Sequence, residues 1–75
     1  MQFDKTLDAR GLNCPLPIVK TKKTLSEMSS GQVLKVIATD PGSVKDMSAF
    51  AKQTGNELVG QEQEGNAYVF YLKKA

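Results

Sequence analysis

Leu7-Asp8-Ala9-Arg10-Gly11-Leu12-Asn13-Cys14-Pro15-Leu16-Pro17-Ile18-Val19-Lys20 carries, in one stretch, the end of a strand, a glycine-containing turn and the opening of a helix. Lys5–Ala9 reads as a short strand closed by Gly11. Pro15 and Pro17 suit a first helical turn, where the backbone N–H has no partner within the helix and the fixed φ is already helical. From Pro15 to about Ser29, Ile18, Leu25 and Met28, with Thr21 between them, fall on one helical face. Lys20, Lys22 and Lys23 fall away from it. Ser29-Ser30-Gly31 is the expected stop, with Gly31 left-handed. Cys14 then sits at the N-cap or next to it, where the helix dipole favours negative charge.

Downstream, Val33–Thr39 is rich in β-branched residues and reads as a largely buried strand, broken by Asp40-Pro41-Gly42. Ser43 and Asp46 have the spacing of a capping box, with Ser43 at the N-cap. Val44, Met47, Phe50, Ala51 and Thr54 make the inward stripe of a second helix ended by Gly55. Asn56–Gln63 is a weaker strand with a bulge expected at Gly60. Gly65-Asn66 signals a two-residue hairpin, and Ala67–Lys73 is the last strand. Tyr68, Phe70 and Leu72 face one way along it, Ala67, Val69 and Tyr71 the other.

The order β-α-β-α-β-β predicts an α/β (α+β) two-layer sandwich, with a mixed four-stranded sheet and two helices on one face, as one domain over residues 1–75. The first two strands run parallel through a right-handed crossover. Their C-terminal ends share an edge, where sites in open α/β sheets form. The Arg10–Cys14 and Asp40–Ser43 loops should be neighbours there. An Asp40 carboxylate aimed at Cys14 would oppose thiolate formation, so Asp40 is expected to point elsewhere or to contact a partner.

With 75 residues the chain has a core of modest size, since a domain this small buries only roughly 60% of its unfolded surface. It should have difficulty enclosing a pocket of the roughly 300 Å³ usual for small molecules. One cysteine excludes an internal disulfide framework, the N-terminus lacks the apolar region of a signal peptide, and no apolar run suits a bilayer. A cytoplasmic location with no membrane partner is expected. The net charge of +2 is too small to imply nucleic acid by itself. Arg10, Lys20, Lys22 and Lys23 gather around the cysteine, which suits an acidic protein surface, or simply a solvated helix face.

A lone cysteine is more often a small buried hydrophobe than a reactive group. This one stands between a glycine loop and a proline-opened helix, where a core residue is not expected. Helix N-termini lower a thiol pKa from about 8.5, but Pro15 and Pro17 remove two donors, so only a modest depression is expected. The sequence has no histidine, so no Cys–His pair forms. With no second cysteine there is no internal CxxC cycle or thiolate metal site. No phosphate-binding glycine loop occurs. Exchange of a sulfur atom between thiolates requires none of these parts.

The Cys14-Pro15-Leu16-Pro17 segment and its flanks resemble the signature of the TusA/SirA-like sulfur carriers, whose hallmark is Cys-Pro-x-Pro. The likeness continues through Gly31, Thr39-Asp40-Pro41-Gly42-Ser43 and Phe50–Asn56, and so covers essentially the whole chain. It implies a fold like the C-terminal domain of a bacterial translation initiation factor, with Cys14 catalytic as a transient persulfide and no other cofactor. Implied donors are cysteine desulfurases or rhodanese-like sulfurtransferases, and implied acceptors are DsrE-like relay proteins. The sulfur would serve 2-thiouridine formation in tRNA or sulfur oxidation. Leu16 departs from the tRNA-thiolation members, which carry an acidic residue there.

Two rival readings are a non-catalytic regulatory or protein-interaction module and an RNA-binding domain. The first predicts an unchanged phenotype for Cys14→Ala. The second predicts steeply salt-dependent RNA affinity, and the scarcity of stacking aromatics opposes it.

Overall fold

A computed structural model describes residues 2–75; Met1, the start of the segment read as lacking a signal peptide, lies outside them. The elements are β1 (Lys5–Ala9), α1 (Leu16–Ser26), β2 (Val33–Ala38), α2 (Ser43–Thr54), β3 (Glu57–Glu64) and β4 (Ala67–Lys73). They form one mixed sheet in the order β1-β2-β4-β3, with β1 and β2 parallel and the other pairings antiparallel. Both helices pack on one face, which gives the expected two-layer sandwich.

The core follows from the two periodicities. Alternate residues of β2 (Leu34, Val36, Ala38) and of β4 (Phe70, Leu72) are fully buried against Leu25 of α1 and Met47 and Phe50 of α2. Met28 joins this cluster just beyond α1. Thr21, buried in the α1 interface, satisfies its hydroxyl by donating to the Pro17 carbonyl at 2.7 Å. Val44 and Ala51 pack against the core as expected, whereas Thr54 is exposed, its hydroxyl donating to the Phe50 carbonyl.

Local details differ from the sequence reading. The first helix ends at Ser26 with Glu27 as C-cap, so Gly31, at φ +89°, turns the following loop and does not end the helix. Gly42, not Ser43, is the N-cap of α2. Ser43 instead donates its backbone N–H (2.9 Å) and its hydroxyl (2.6 Å) to the Asp40 carbonyl, which folds the preceding turn. Gly55 ends α2 in the left-handed conformation, as expected. The third strand runs one residue later than expected. Its register slips between Leu58 and Gly60, so that Val59 is the extra residue of a bulge. Glu64 pairs with Ala67 across Gly65-Asn66, with Gly65 at φ +61°.

The sheet face away from the helices is partly covered by the N-terminal segment, which the sequence reading left unassigned. The Phe3 ring lies 6.2 Å from that of Tyr71, and the Lys35 ammonium sits 5.1 Å above Phe3. Asp4 anchors this segment through its N–H to the Val33 carbonyl and its carboxylate to the Val33 N–H, both at 2.8 Å. Tyr71 is therefore buried although it faces away from the core. No described helix is long and apolar enough to cross a membrane.

Candidate functional site

Because β1 and β2 are parallel, both helices begin at the same sheet edge, and the loops leading into them meet there. Gly11, at φ +80°, donates its N–H to the Thr39 hydroxyl at 2.9 Å. The Cys14 N–H donates to Asp40 Oδ2 at 2.8 Å. Leu12, half-buried against the core, anchors the loop from below. Cys14 is exposed and free, and its peptide bond to Pro15 is cis. Pro15 is the N-cap of α1, and Pro17 is buried in its first turn. The Cys-Pro-x-Pro segment is thus held from both sides.

Asp40 does not point away from the cysteine loop. Both of its carboxylate oxygens are engaged, Oδ2 by Cys14 and Oδ1 by the Gly42 N–H at 3.1 Å. It braces the Cys14 loop against the start of α2.

Nor is the thiol pKa lowered. It is raised above the ordinary thiol value, foremost by the Asp46 carboxylate, which lines the same cavity and favours the protonated thiol, then through desolvation and the negative charges of Asp46 and Asp40. The helix end offers little to offset them. Pro15 and Pro17 have no N–H, and the Leu16 N–H is taken by the Asn13 carbonyl at 2.9 Å. Asp46 was legible in the sequence as a capping residue, but not as a neighbour of Cys14. The shared edge of parallel strands was the signal that could have placed it there.

Cys14 borders an open cavity of about 260 Å³ between α1 and α2, lined also by Pro15, Ile18, Asp46, Ala49, Phe50 and Gln53. A second, shallow groove of about 430 Å³ lies between α2 and β3, along Ser48, Lys52 and Leu58. Both open to solvent at the seams between elements, in keeping with the difficulty that so small a domain has in enclosing a pocket.

The basic candidates separate. Arg10 is ion-paired with Asp8 at 2.9 Å, which draws the Asp8 carboxyl from the ordinary 3.8 to about 2. Lys20, Lys22 and Lys23 are exposed on α1. Helical spacing places Lys20 and Lys23 on the outer face with Leu16 and Val19, and Lys22 to the side. Leu16 and Val19, 46% and 54% exposed, form an apolar patch beside Cys14 that the sequence reading did not single out.

Fold and site define a small α/β protein whose one thiol stands at the open edge of the sheet. Residues 5–74 match the family model described as Sulfurtransferase TusA. The chain is 68% identical over 73 residues to the sulfur carrier protein TusA of Allochromatium vinosum, covering 97% of this chain and 96% of that protein. It is 46% identical to the sulfur carrier protein TusA of Pseudomonas entomophila, covering 95% and 89%. The crystal structure of a SirA-like protein from Desulfitobacterium hafniense matches with a TM-score of 0.82 at 25% identity, over 93% of this chain and 96% of that one. The chain belongs to the TusA family.

Proposed function

We propose that this protein is a cytoplasmic sulfur carrier that takes up sulfane sulfur as a persulfide on Cys14 and yields it to an acceptor cysteine. The observation that carries the reading is the exposed Cys14, the sole cysteine of the chain, held at the rim of an open cavity by the Asp40 brace. The Cys14 sulfur attacks the outer sulfur of a donor persulfide, a new S–S bond forms, and the donor cysteine leaves as a thiolate. In delivery, an acceptor thiolate attacks the outer sulfur and Cys14 leaves. Pro15 and Pro17 fix the helix start beneath the sulfur.

The outer face of α1, with Leu16 and Val19 between Lys20 and Lys23, is the docking surface, and it suits a partner with an apolar centre and an acidic rim. Donors are a cysteine desulfurase or a rhodanese-like protein, and the acceptor is a DsrE-like relay protein. The sulfur goes on to tRNA 2-thiouridine or to sulfur oxidation. Incubation with a desulfurase and radiolabelled cysteine tests the reading. Label should appear on the wild-type chain and leave with reductant; label retained by Cys14→Ala would overturn it.

A further inference from the structure

The cavity beside Cys14 has one charged wall. The cysteine and Pro15 approach from the loop into α1, Ile18 from α1, and Asp46, Ala49, Phe50 and Gln53 from α2. No cation is among these lining residues. The charged groups on the neighbouring elements are otherwise occupied or turned outward. At the end of β1, Asp8 and Arg10 pair with each other. In the loop after β2, both oxygens of Asp40 accept backbone N–H groups. Lys20, Lys22 and Lys23 on α1 and Lys45 on α2 are exposed and do not line the cavity. Asp46, half-buried, is left as the ionic group that faces the thiol.

We propose that Asp46 is a positioning residue that holds the unloaded Cys14 as a neutral thiol, so that its sulfur becomes a nucleophile when a cationic group of a docked partner neutralises the Asp46 carboxylate. This rests on the carrier reading and adds to it a restraint on the empty carrier. The two acidic residues divide the work: Asp40 fixes the backbone of Cys14, and Asp46 acts on its sulfur. The same direction is visible in the raised thiol pKa, of which the Asp46 contact is the largest cause.

Loading then balances as follows. The Cys14 S–H bond breaks, and its electron pair forms the bond to the outer sulfur of the donor persulfide. The donor S–S bond breaks with its electrons on the donor cysteine, which takes up the proton. One thiol and one persulfide enter, one of each leave, and no outside oxidant or reductant is required. The uncovered thiol, by contrast, reacts slowly with stray electrophiles and oxidants, because the thiolate is the attacking species.

A purely structural role is the alternative, since Asp46 lies in the first turn of α2, where a negative charge favours the helix. The two roles separate in the pH profile of Cys14 alkylation by iodoacetamide, followed by mass spectrometry on the full chain. Asp46→Asn and Asp46→Ser should alkylate at least about threefold faster at neutral pH, with profiles displaced to lower pH, because the rate follows the thiolate fraction. Asp46→Glu should restore the slow profile. Wild-type and Asp46→Asn profiles that coincide would overturn the proposal, as would acceleration in Asp46→Glu equal to that in Asp46→Asn. Failure of the wild-type chain to take sulfur from any donor would sink the carrier reading instead, and the alkylation profiles would still decide the role of Asp46.

Discussion

Replacing Asp40 by alanine should loosen the Cys14 loop and destabilise the fold together. The substitution removes two acceptors at once, from the Cys14 N–H at 2.8 Å and the Gly42 N–H at 3.1 Å. The two bonds from Ser43 to the Asp40 backbone carbonyl remain. A hydrogen bond to a charged group contributes about 1.5–3 kcal/mol when well buried. Asp40 is only half-buried and water recovers part of each bond, so the pair together is worth about 2 kcal/mol. A chain of this length has a total stability of roughly 4–11 kcal/mol. The loss should appear as a drop of about 8–16 °C in Tm. Asp40→Asn keeps one carbonyl oxygen and should cost about half as much, ~1 kcal/mol. Urea unfolding followed by circular dichroism measures both variants, and amide hydrogen exchange by NMR reports on Cys14 directly. The Cys14 amide should lose protection in Asp40→Ala while the β2 amides exchange no faster than the lowered global stability requires. Stability within about 0.5 kcal/mol of wild type for both variants, with Cys14 protection unchanged, would refute the brace.

Two further expectations concern the core and the exposed ion pair. Phe70 is fully buried where β4 faces the helices, and Phe70→Ala should cost about 3–5 kcal/mol, a large share of the total, so that the urea midpoint falls by roughly half. Asp8 should titrate near 2 in the folded chain by carbon NMR, and Arg10→Gln should return it toward 3.8. A carboxyl with a lowered folded pKa stabilises above its unfolded value and loses that contribution as pH falls between 3.8 and about 2. Both side chains are more than half exposed, so the accompanying change in stability should be small.

Much of this architecture was legible because two signals are local. The β-branched, apolar character of Val33–Ala38 and Ala67–Lys73 specifies two strands, and the apolar stripes of both helices specify those elements and their buried faces, without knowledge of the neighbours. The parallel pairing of β1 with β2 then follows from the connecting helix, and it places the Cys14 and Asp40 loops together. What the sequence hid depends on contacts across that edge. Ser43 has the spacing of a cap, yet its hydroxyl turns back to Asp40, because Gly42 begins the helix. The sequence brings Asp40 near Cys14 and states what its charge would do there, but not that it points inward, and nothing local to α2 marks Asp46, the largest influence on the thiol, as its neighbour. Phe3 was opaque for the same reason, since its partners Tyr71 and Lys35 lie on two other strands.

The family assignment directs attention to one sulfur, and the most direct test follows it atom by atom. Intact mass spectrometry of the wild-type chain after incubation with a cysteine desulfurase or a rhodanese-like donor should show the gain of one sulfur atom on Cys14, lost again on reduction or on addition of an acceptor protein cysteine. An unchanged mass with every such donor, or a gain that persists in Cys14→Ala, would contradict the account.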